Sequence, residues 1–312
     1  FVDGIMIRTY SHEAVKELAA YASVPVINGL TDLLHPCQAL TDLFTIMEYK
    51  EVLKGRKLVF VGDGNNMANS LIVGGLKCGM TVSIACPDAY RPDPAVLDFA
   101  QQYPGMLQCT PDILAAAKDA DVLYTDVWAS MGQEDEQKKR EEAFKGFCVD
   151  SELMSLAAPG VKFLHCLPAH REEEITTKVF EEHAKEIFDE AENRLHVQKA
   201  VLAVLLGLEA MRVFGVYCCA HWPRPAVWAC GGTVLLLCGF GMYIGRFLRL
   251  NSWDILHPLA LLRRVWVSMG AFQLQVTLLF AGAVFLLWLA YGALRPVDGE
   301  KQENKESDAL ST

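Results

Sequence analysis

Short apolar runs that resemble buried strands alternate with helix-like stretches through the first two thirds of the chain. The clearest runs are LVFVG (Leu58–Gly62), TVSIAC (Thr81–Cys86), DVLYTDV (Asp121–Val127) and KFLHCL (Lys162–Leu167). Strands that are apolar on both faces are typical of parallel sheets, which helices cover on both sides. Because parallel strands need a crossover connection, usually a helix, the alternation predicts an α/β fold with a doubly wound parallel sheet.

Three polar motifs stand where predicted strands end: GDGNN at Gly62–Asn66, DVWASMG at Asp126–Gly132 and HCLP at His165–Pro168. Ligands of open α/β sheets bind at the carboxyl ends of the strands, so these motifs predict one pocket. A fourth motif, HPCQ at His35–Gln38, opens a helix that we predict from Pro36 to about Tyr49, because proline suits the first helical turn. The four motifs together predict an enzyme site.

Each motif alone also fits a purely structural role. GDGNN is compatible with a tight turn, His35 with a helix-capping histidine at the surface, and Cys166 with a small buried hydrophobic residue. Asp126 fits a structural role least well, because a carboxylate at the end of a buried strand is costly unless it is paired or binds a ligand. The order of the motifs is more specific than any one of them.

The order HPCQ, GDGNN, DVWASMG, HCLP and AENRLH (Ala191–His196) resembles the ornithine carbamoyltransferases, within the aspartate/ornithine carbamoyltransferase family, across residues 1–211. SMG resembles the ornithine-binding loop and distinguishes the chain from aspartate carbamoyltransferases. The resemblance implies transfer of a carbamoyl group from carbamoyl phosphate to the side-chain amine of L-ornithine. The products are L-citrulline and phosphate, the reaction belongs to arginine biosynthesis, and no metal or organic cofactor is implied.

The resemblance also implies roles for individual residues. Those expected to bind carbamoyl phosphate are Arg8, His35, Gln38, Cys166, Leu167 and Arg194. Those expected to bind ornithine are Asn66, Asp126, Ser130 and Met131. Cys166, His35 and Asp126 are the expected catalytic residues.

The chemistry of these side chains suits the expected roles. Guanidinium groups offer fixed donors to phosphate, and a donor from His35 would stabilise the charge that builds on the carbamoyl oxygen. An alkyl amine with a pKa near about 10.4 is protonated at neutral pH. We therefore expect Asp126 to orient the ammonium group and the thiolate of Cys166 to lie close to it.

The resemblance over residues 1–211, together with the apolar and charged patterns that follow, divides the chain into unlike parts. The predicted parts are a remnant of the carbamoyl-phosphate domain (1–35), an ornithine-binding α/β domain (36–188), a returning helix (189–211), a transmembrane hairpin (212–295) and a disordered tail (296–312). Family members carry a Ser-Thr-Arg-Thr loop that grips the phosphate, and this sequence contains no such run. The expectation is therefore an amino-terminally truncated enzyme with half of its site, which would be a homotrimer if complete.

Two uncharged apolar stretches, Pro225–Gly245 and Val265–Leu294, are each long enough to span a bilayer, which takes about 20 residues. They predict a two-helix transmembrane hairpin, with buried core helices as the alternative. The segment GRFLRLNSWDIL (Gly245–Leu256) faintly resembles an uncharacterised family of bacterial membrane proteins. The residues that bias the intervening loop toward the cytoplasm are Arg246, Arg249, Arg263 and Arg264. That topology puts both flanks outside, whereas a carbamoyltransferase is expected in the cytoplasm.

Charge and cysteine usage limit the partners. The chain has a net charge of −10, and acidic residues outnumber basic ones before Met211, which excludes a nucleic-acid-binding surface there. The ten cysteines are scattered, as expected for small buried residues in a reducing compartment. Cys218, Cys219 and His221 lack a second pair of ligands for zinc. Two functions remain open: a carbamoyltransferase, and a membrane protein of unknown role fused to an inactive transferase fragment.

Overall fold

The chain forms two compact units, Phe1–Ala203 and Val204–Thr312. The structure, a computed structural model, describes residues 2–129, 136–243 and 270–294. The predicted arginine-rich loop and the predicted tail at 296–312 therefore lie outside the described residues. The division after Ala203 falls inside one helix that runs from Ala184 to His221, as does the predicted boundary at Met211.

The first unit is built on a five-stranded parallel sheet with the strand order β5-β4-β3-β6-β7. Its strands are β3 (Lys57–Val61), β4 (Thr81–Ala85), β5 (Leu107–Thr110), β6 (Val122–Thr125) and β7 (Lys162–His165). The chain starts at the central strand β3, moves outward to β5 and then returns to the other side of β3. This reversal confirms the predicted doubly wound sheet and creates a switch point between β3 and β6, where ligands bind in such folds.

Helices cover both faces of this sheet. From residue 36 onward, the helices of the first unit are α2 (Pro36–Lys50), α3 (Asn66–Lys77), α4 (Pro94–Ala100), α5 (Ile113–Ala117), α6 (Gln137–Ala143), α7 (Ser151–Leu156), α8 (Thr177–Glu182) and the start of α9 (Ala184–His221). Side chains along a strand alternate between faces. Phe60 and Tyr124 therefore pack into one core, while Val59 and Phe163 pack into the other. Both cores are fully buried, which explains the continuous apolar runs.

A smaller parallel pair, β1 (Ile5–Arg8) and β2 (Val26–Leu30), precedes α2 and is connected through α1 (His12–Tyr21). This β-α-β unit falls within residues 1–35, where the sequence predicts a remnant of a second α/β domain. Its last strand residue before α1 is Arg8, one of the expected phosphate-binding residues.

The second unit contains the end of α9, α10 (Arg224–Tyr243) and α11 (Ala271–Leu294). Helix α9 begins before the predicted Asp189 and continues past Met211, and the first proline after Pro168 is Pro223, just beyond the end of this helix. Among the residues that the structure describes, two helices are long and apolar enough to cross a membrane, Ala184–His221 and Ala271–Tyr291, whereas the apolar part of α10 is shorter. The candidate span in α9 was not predicted, and the predicted span at Pro225–Gly245 falls on the shorter helix.

Helices α10 and α11 pack closely, as expected for a hairpin. A Cβ atom added at Gly239 would lie 2.2 Å from the carbonyl oxygen of Thr277, so the two backbones touch there. Leu279 and Leu286 of α11 stay well exposed among the described residues. A core helix of a soluble protein would bury such side chains, so the exposed leucines favour the membrane interpretation over the alternative.

Candidate active site

His35 occupies the N-cap position of α2, but its side chain makes no capping hydrogen bond. It is only 5% exposed, and its backbone N–H donates to Ser70 Oγ at 2.7 Å. Its Nε2 atom lies 3.5 Å from an Nη2 atom of Arg194 in α9. The surface-capping alternative for His35 is therefore wrong, and the imidazole faces inward.

The surroundings of His35 fix its protonation. Burial, and then the charges of Arg194 and Arg8, lower the pKa of His35 to about 3. Since a guanidinium can only donate, Nε2 of the neutral ring is the acceptor and Nδ1 carries the hydrogen. Within the described part of the chain, Nδ1 is buried without a hydrogen-bond partner. The ring therefore has one N–H available for a ligand.

Arg8 ends β1 and is solvent-exposed. It makes no hydrogen bond or ion pair with any described residue, although its charge lowers the pKa of His35. Arg8 and Arg194 thus place two guanidinium groups around one neutral imidazole. This arrangement favours an anionic ligand such as a phosphate.

Gln38, on the first turn of α2, is buried, and its amide group is held from one side. Its Nε2 donates to Asp42 Oδ1 at 2.8 Å and to Glu190 Oε1 at 3.0 Å. Its Oε1 is buried and has no donor among the residues that the structure describes. The side chain therefore offers a hydrogen-bond acceptor, not a donor, to a ligand.

The three strand-end motifs meet at Asp126, which follows β6. Its Oδ1 accepts from the backbone N–H of Val127 at 2.8 Å and lies 3.1 Å from Cys166 Sγ, after β7. Its Oδ2 accepts from Nδ2 of Asn65, after β3, at 3.0 Å. The Asp126 carboxylate, whose burial would be unfavourable without partners, is thus held by groups from three neighbouring segments. Its position at the end of a buried strand led us to expect such partners.

The protonation state of Cys166 differs from the expected thiolate. Burial, and then the Asp126 and Glu190 carboxylates, raise the pKa of Cys166 well above its usual range. The thiol is therefore protonated at neutral pH and donates to Asp126. A thiolate is disfavoured here because it would stand 3.1 Å from a negative oxygen.

The remaining expected binding residues are Asn66, Leu167, Ser130 and Met131. Asn66 donates from Nδ2 to the carbonyl oxygen of Thr31 at 2.6 Å, while its neighbour Asn65 contacts Asp126. Leu167 has a left-handed backbone with φ 55°, and its N–H donates to His165 Nδ1 at 3.0 Å. Ser130 and Met131 lie outside the described residues. Sequence reasoning missed Asn65, whose signal was its position as the N-cap of α3.

Arg140 in α6 was also missed. It is buried, and its Nη1 donates to Asp63 Oδ2 at 2.6 Å and to the carbonyl oxygen of Trp128 at 2.9 Å. Burial raises the pKa of Asp63, and the Arg140 charge opposes that rise. The sequence gives no sign of this, since Arg140 stands in a run of charged residues typical of a solvated helix.

One group of side chains has the composition of a metal site. His170, Glu173 and Glu174 lie close enough for one ligand atom of each to contact a common ion. However, Glu174 Oε1 already accepts from His170 N at 2.6 Å and lies 3.1 Å from His165 Nε2. These contacts account for the cluster as a support for the HCLP segment, and the expectation of a metal-free site stays a prediction.

Three segments of the chain match known family models, and two of these models describe domains of the same family. Residues 1–48 match the carbamoyl-P binding domain of aspartate/ornithine carbamoyltransferase, and residues 54–205 match its Asp/Orn binding domain. Residues 178–289 match a family described as a protein of unknown function, DUF1361. This third match begins before the predicted junction at Met211 and agrees with the expectation of an unrelated carboxyl-terminal segment.

Individual relatives agree with the first two matches. The ornithine carbamoyltransferase of Geobacter metallireducens is 56% identical over 207 residues, covering 66% of this chain and 68% of that protein. That of Pyrococcus abyssi is 54% identical over 211 residues, covering 66% of this chain and 67% of that protein. The solved ornithine carbamoyltransferase of Pyrococcus furiosus is similar with a TM-score of 0.62 and 51% identity, covering 66% of this chain and 67% of that chain. Through these residues the chain belongs to the aspartate/ornithine carbamoyltransferase family.

Proposed function

We propose that this chain carries ornithine carbamoyltransferase chemistry, joining the carbamoyl group of carbamoyl phosphate to the side-chain amine of L-ornithine. The observation that supports this most is a pair of environments of opposite charge, one around His35 and one around Asp126. Arg8 and Arg194 surround His35 and suit an anion, while the Asp126 carboxylate suits a cation. Glu190 connects them, because it accepts from Gln38 and from the backbone N–H of His165.

Each side chain has a role in this reaction. The two arginines hold the phosphate, the Nδ1–H of His35 donates to the carbamoyl oxygen, and Oε1 of Gln38 accepts from the carbamoyl amide. Asp126 holds the ornithine ammonium, which loses one proton to solvent before it attacks. A C–N bond then forms while the bond from the carbamoyl carbon to the phosphate oxygen breaks, and phosphate leaves with the second proton of the amine. Fixed donors and positioning supply the catalysis, and no cofactor takes part.

The test is citrulline formation by the purified full chain supplied with carbamoyl phosphate and L-ornithine. L-Aspartate replaces L-ornithine in a parallel reaction, because the family includes both substrate types. We expect citrulline and phosphate in equal amounts and no carbamoyl-aspartate. A chain that makes no citrulline and binds neither substrate would contradict the proposal.

The second candidate is a membrane protein of unknown role joined to an inactive transferase segment. The match of residues 178–289 to an uncharacterised family and the apolar helices favour it. Carbonate extraction of membranes distinguishes the locations: a chain released to the supernatant contradicts a transmembrane hairpin. For the transferase part we expect a cytoplasmic location, a homotrimer if complete, and a role in arginine biosynthesis.

Replacing Cys166 with serine is expected to lower turnover more than tenfold. The thiol touches Asp126 Oδ1 at 3.1 Å, so the change alters the group beside the bound ammonium. Steady-state kinetics with L-ornithine as the varied substrate measures the effect. Cys109→Ser is the matched control, because Cys109 is partly buried in the edge strand β5, away from the motifs. Unchanged turnover in Cys166→Ser would remove this thiol from the mechanism.

A further inference from the structure

A buried pair of acidic residues, Asp42 in α2 and Glu190 in α9, lies beneath Gln38. Both are completely buried, and both accept from Gln38 Nε2, at 2.8 Å and 3.0 Å. Glu190 Oε1 also accepts from the Tyr124 hydroxyl at 3.2 Å, and its Oε2 accepts from the His165 backbone N–H at 2.8 Å. The pair therefore connects α2, α9, β6 and β7 directly behind the expected carbamoyl position.

The donors around the two residues are unequally distributed. Glu190 accepts from Gln38, Tyr124 and the His165 backbone N–H, whereas the Oδ2 atom of Asp42 has no hydrogen-bond partner among the described residues. Two adjacent buried carboxylates cannot both be charged at low cost, so one of them holds a proton. Burial, reinforced by the Glu190 charge, raises the pKa of Asp42 well above its usual range. Asp42 is therefore the protonated partner and Glu190 the anion.

This arrangement fixes the direction of the Gln38 amide. Both Nε2 hydrogens are used, one on each acidic side chain. Turning the amide over would point its oxygen at the Glu190 anion and lose a charge-assisted hydrogen bond. Oε1 is therefore held as a free acceptor on the opposite side of the amide.

We propose that Asp42 and Glu190 are positioning residues that share one proton, carried by Asp42, and lock Gln38 so that its Oε1 selects an acyl phosphate with an amide donor. The inference rests on the proposed function for the identity of the ligand. Carbamoyl phosphate has an N–H₂ group to donate to Oε1, whereas acetyl phosphate has a methyl group in its place. A site with a buried acceptor rejects a ligand that leaves this acceptor unpaired.

Two nearly isosteric substitutions test the assignment of the proton. Asp42→Asn replaces the acid by an amide that still accepts from Gln38 and donates to Glu190, so it imitates the protonated residue. Glu190→Gln introduces an N–H₂ group where every neighbour is already a donor. If Asp42 carries the proton, the first change is tolerated and the second is not. The opposite assignment predicts the opposite result.

The first readout needs no ligand. Hydrogen exchange of the Gln38 side-chain amide is followed by NMR in the isotopically labelled full chain. We expect slow exchange in the wild type and in Asp42→Asn, and exchange at least about tenfold faster in Glu190→Gln, as one lost hydrogen bond allows. Equal protection in all three proteins would overturn the lock, whether or not the chain binds a substrate.

The second readout is selectivity. Titration calorimetry gives the ratio of the dissociation constants of acetyl phosphate and carbamoyl phosphate. We expect this ratio to fall about tenfold or more in Glu190→Gln, because that variant loses the oriented Gln38 acceptor. In Asp42→Asn we expect the ratio to change less than about threefold. If Glu190→Gln does not fold, Asp42→Leu replaces it, because leucine removes an acceptor for Gln38 without burying a new polar group.

The two readouts distinguish failure of the inference from failure of the proposed function. If the chain binds neither carbamoyl phosphate nor acetyl phosphate but shows the expected exchange pattern, the orientation of Gln38 is confirmed and the proposed ligand is wrong. A chain that binds carbamoyl phosphate with the same selectivity in all variants retains the function and overturns the role of the pair. Asp42→Asn behaving like Glu190→Gln would refute the assignment of the proton to Asp42.

Discussion

Replacing Arg140 with methionine is expected to lower the free energy of unfolding of the first unit by about 3–5 kcal/mol, the cost of breaking a buried ion pair. Arg140 and Asp63 are each less than 10% exposed, and the change leaves the Asp63 carboxylate buried without its cation. The backbone oxygen of Trp128 loses a donor at the same time. Methionine fills similar volume, so the expected loss is mainly electrostatic.

Hydrogen exchange of the β3 and β6 backbone amides measures this free energy for the first unit alone. The double variant Asp63→Asn, Arg140→Met removes both charges and is expected to recover most of the loss. Glu136→Gln is the matched control, because Glu136 is half exposed and lies 3.5 Å from Arg140 Nε. Because the Glu136 partner is half exposed and screened by solvent, this pair is expected to contribute about 0–1 kcal/mol. A loss below 1 kcal/mol in Arg140→Met would show that Asp63 does not depend on its partner.

The strands of the large sheet are the part of the fold that sequence patterns predict best. A strand buried on both faces needs a largely apolar run, and β3, β4, β6 and β7 each have one, although β4 includes the buried Ser83. Strand β5 was missed because it lies at the edge of the sheet, where Gln108 is exposed and the apolar run is broken. The helices α5 to α8 were missed because five to seven residues are too few to show a helical period.

The motifs predicted where the site lies but not how its charges are arranged. Asp126 was predicted to need partners, and the structure provides Asn65, Val127 and Cys166. Asp42, Arg140 and Glu190 gave no such signal, because a charged residue in a helix normally faces solvent. Their burial depends on which helix face meets the sheet, and this is a property of the tertiary packing. The protonated state of Cys166 was missed for the same reason.

Acidification is expected to lower the free energy of unfolding of the first unit, and protonation of His35 alone accounts for a large part of this loss. The pKa of His35 is about 3 in the folded protein, against an ordinary value of 6.5. The unfolded chain therefore binds a proton between these values and the folded chain does not. The stability that His35 contributes is fully present above pH 6.5 and is lost as the pH falls toward 3. The loss reaches about 4–5 kcal/mol, at 1.36 kcal/mol for each pKa unit.

The difference in unfolding free energy between the wild type and His35→Asn isolates this loss from other acid effects. As the pH falls from 7 to 3, the wild type is expected to lose stability relative to the variant. Direct titration of the His35 ring by NMR gives the pKa itself. Arg194→Met is the informative companion, because removing one of the two nearby charges should raise the pKa of His35 and narrow the pH window. A ring that titrates near 6.5 would be charged in part of the neutral range, and its Nδ1–H could not serve as the neutral donor that the proposed reaction requires.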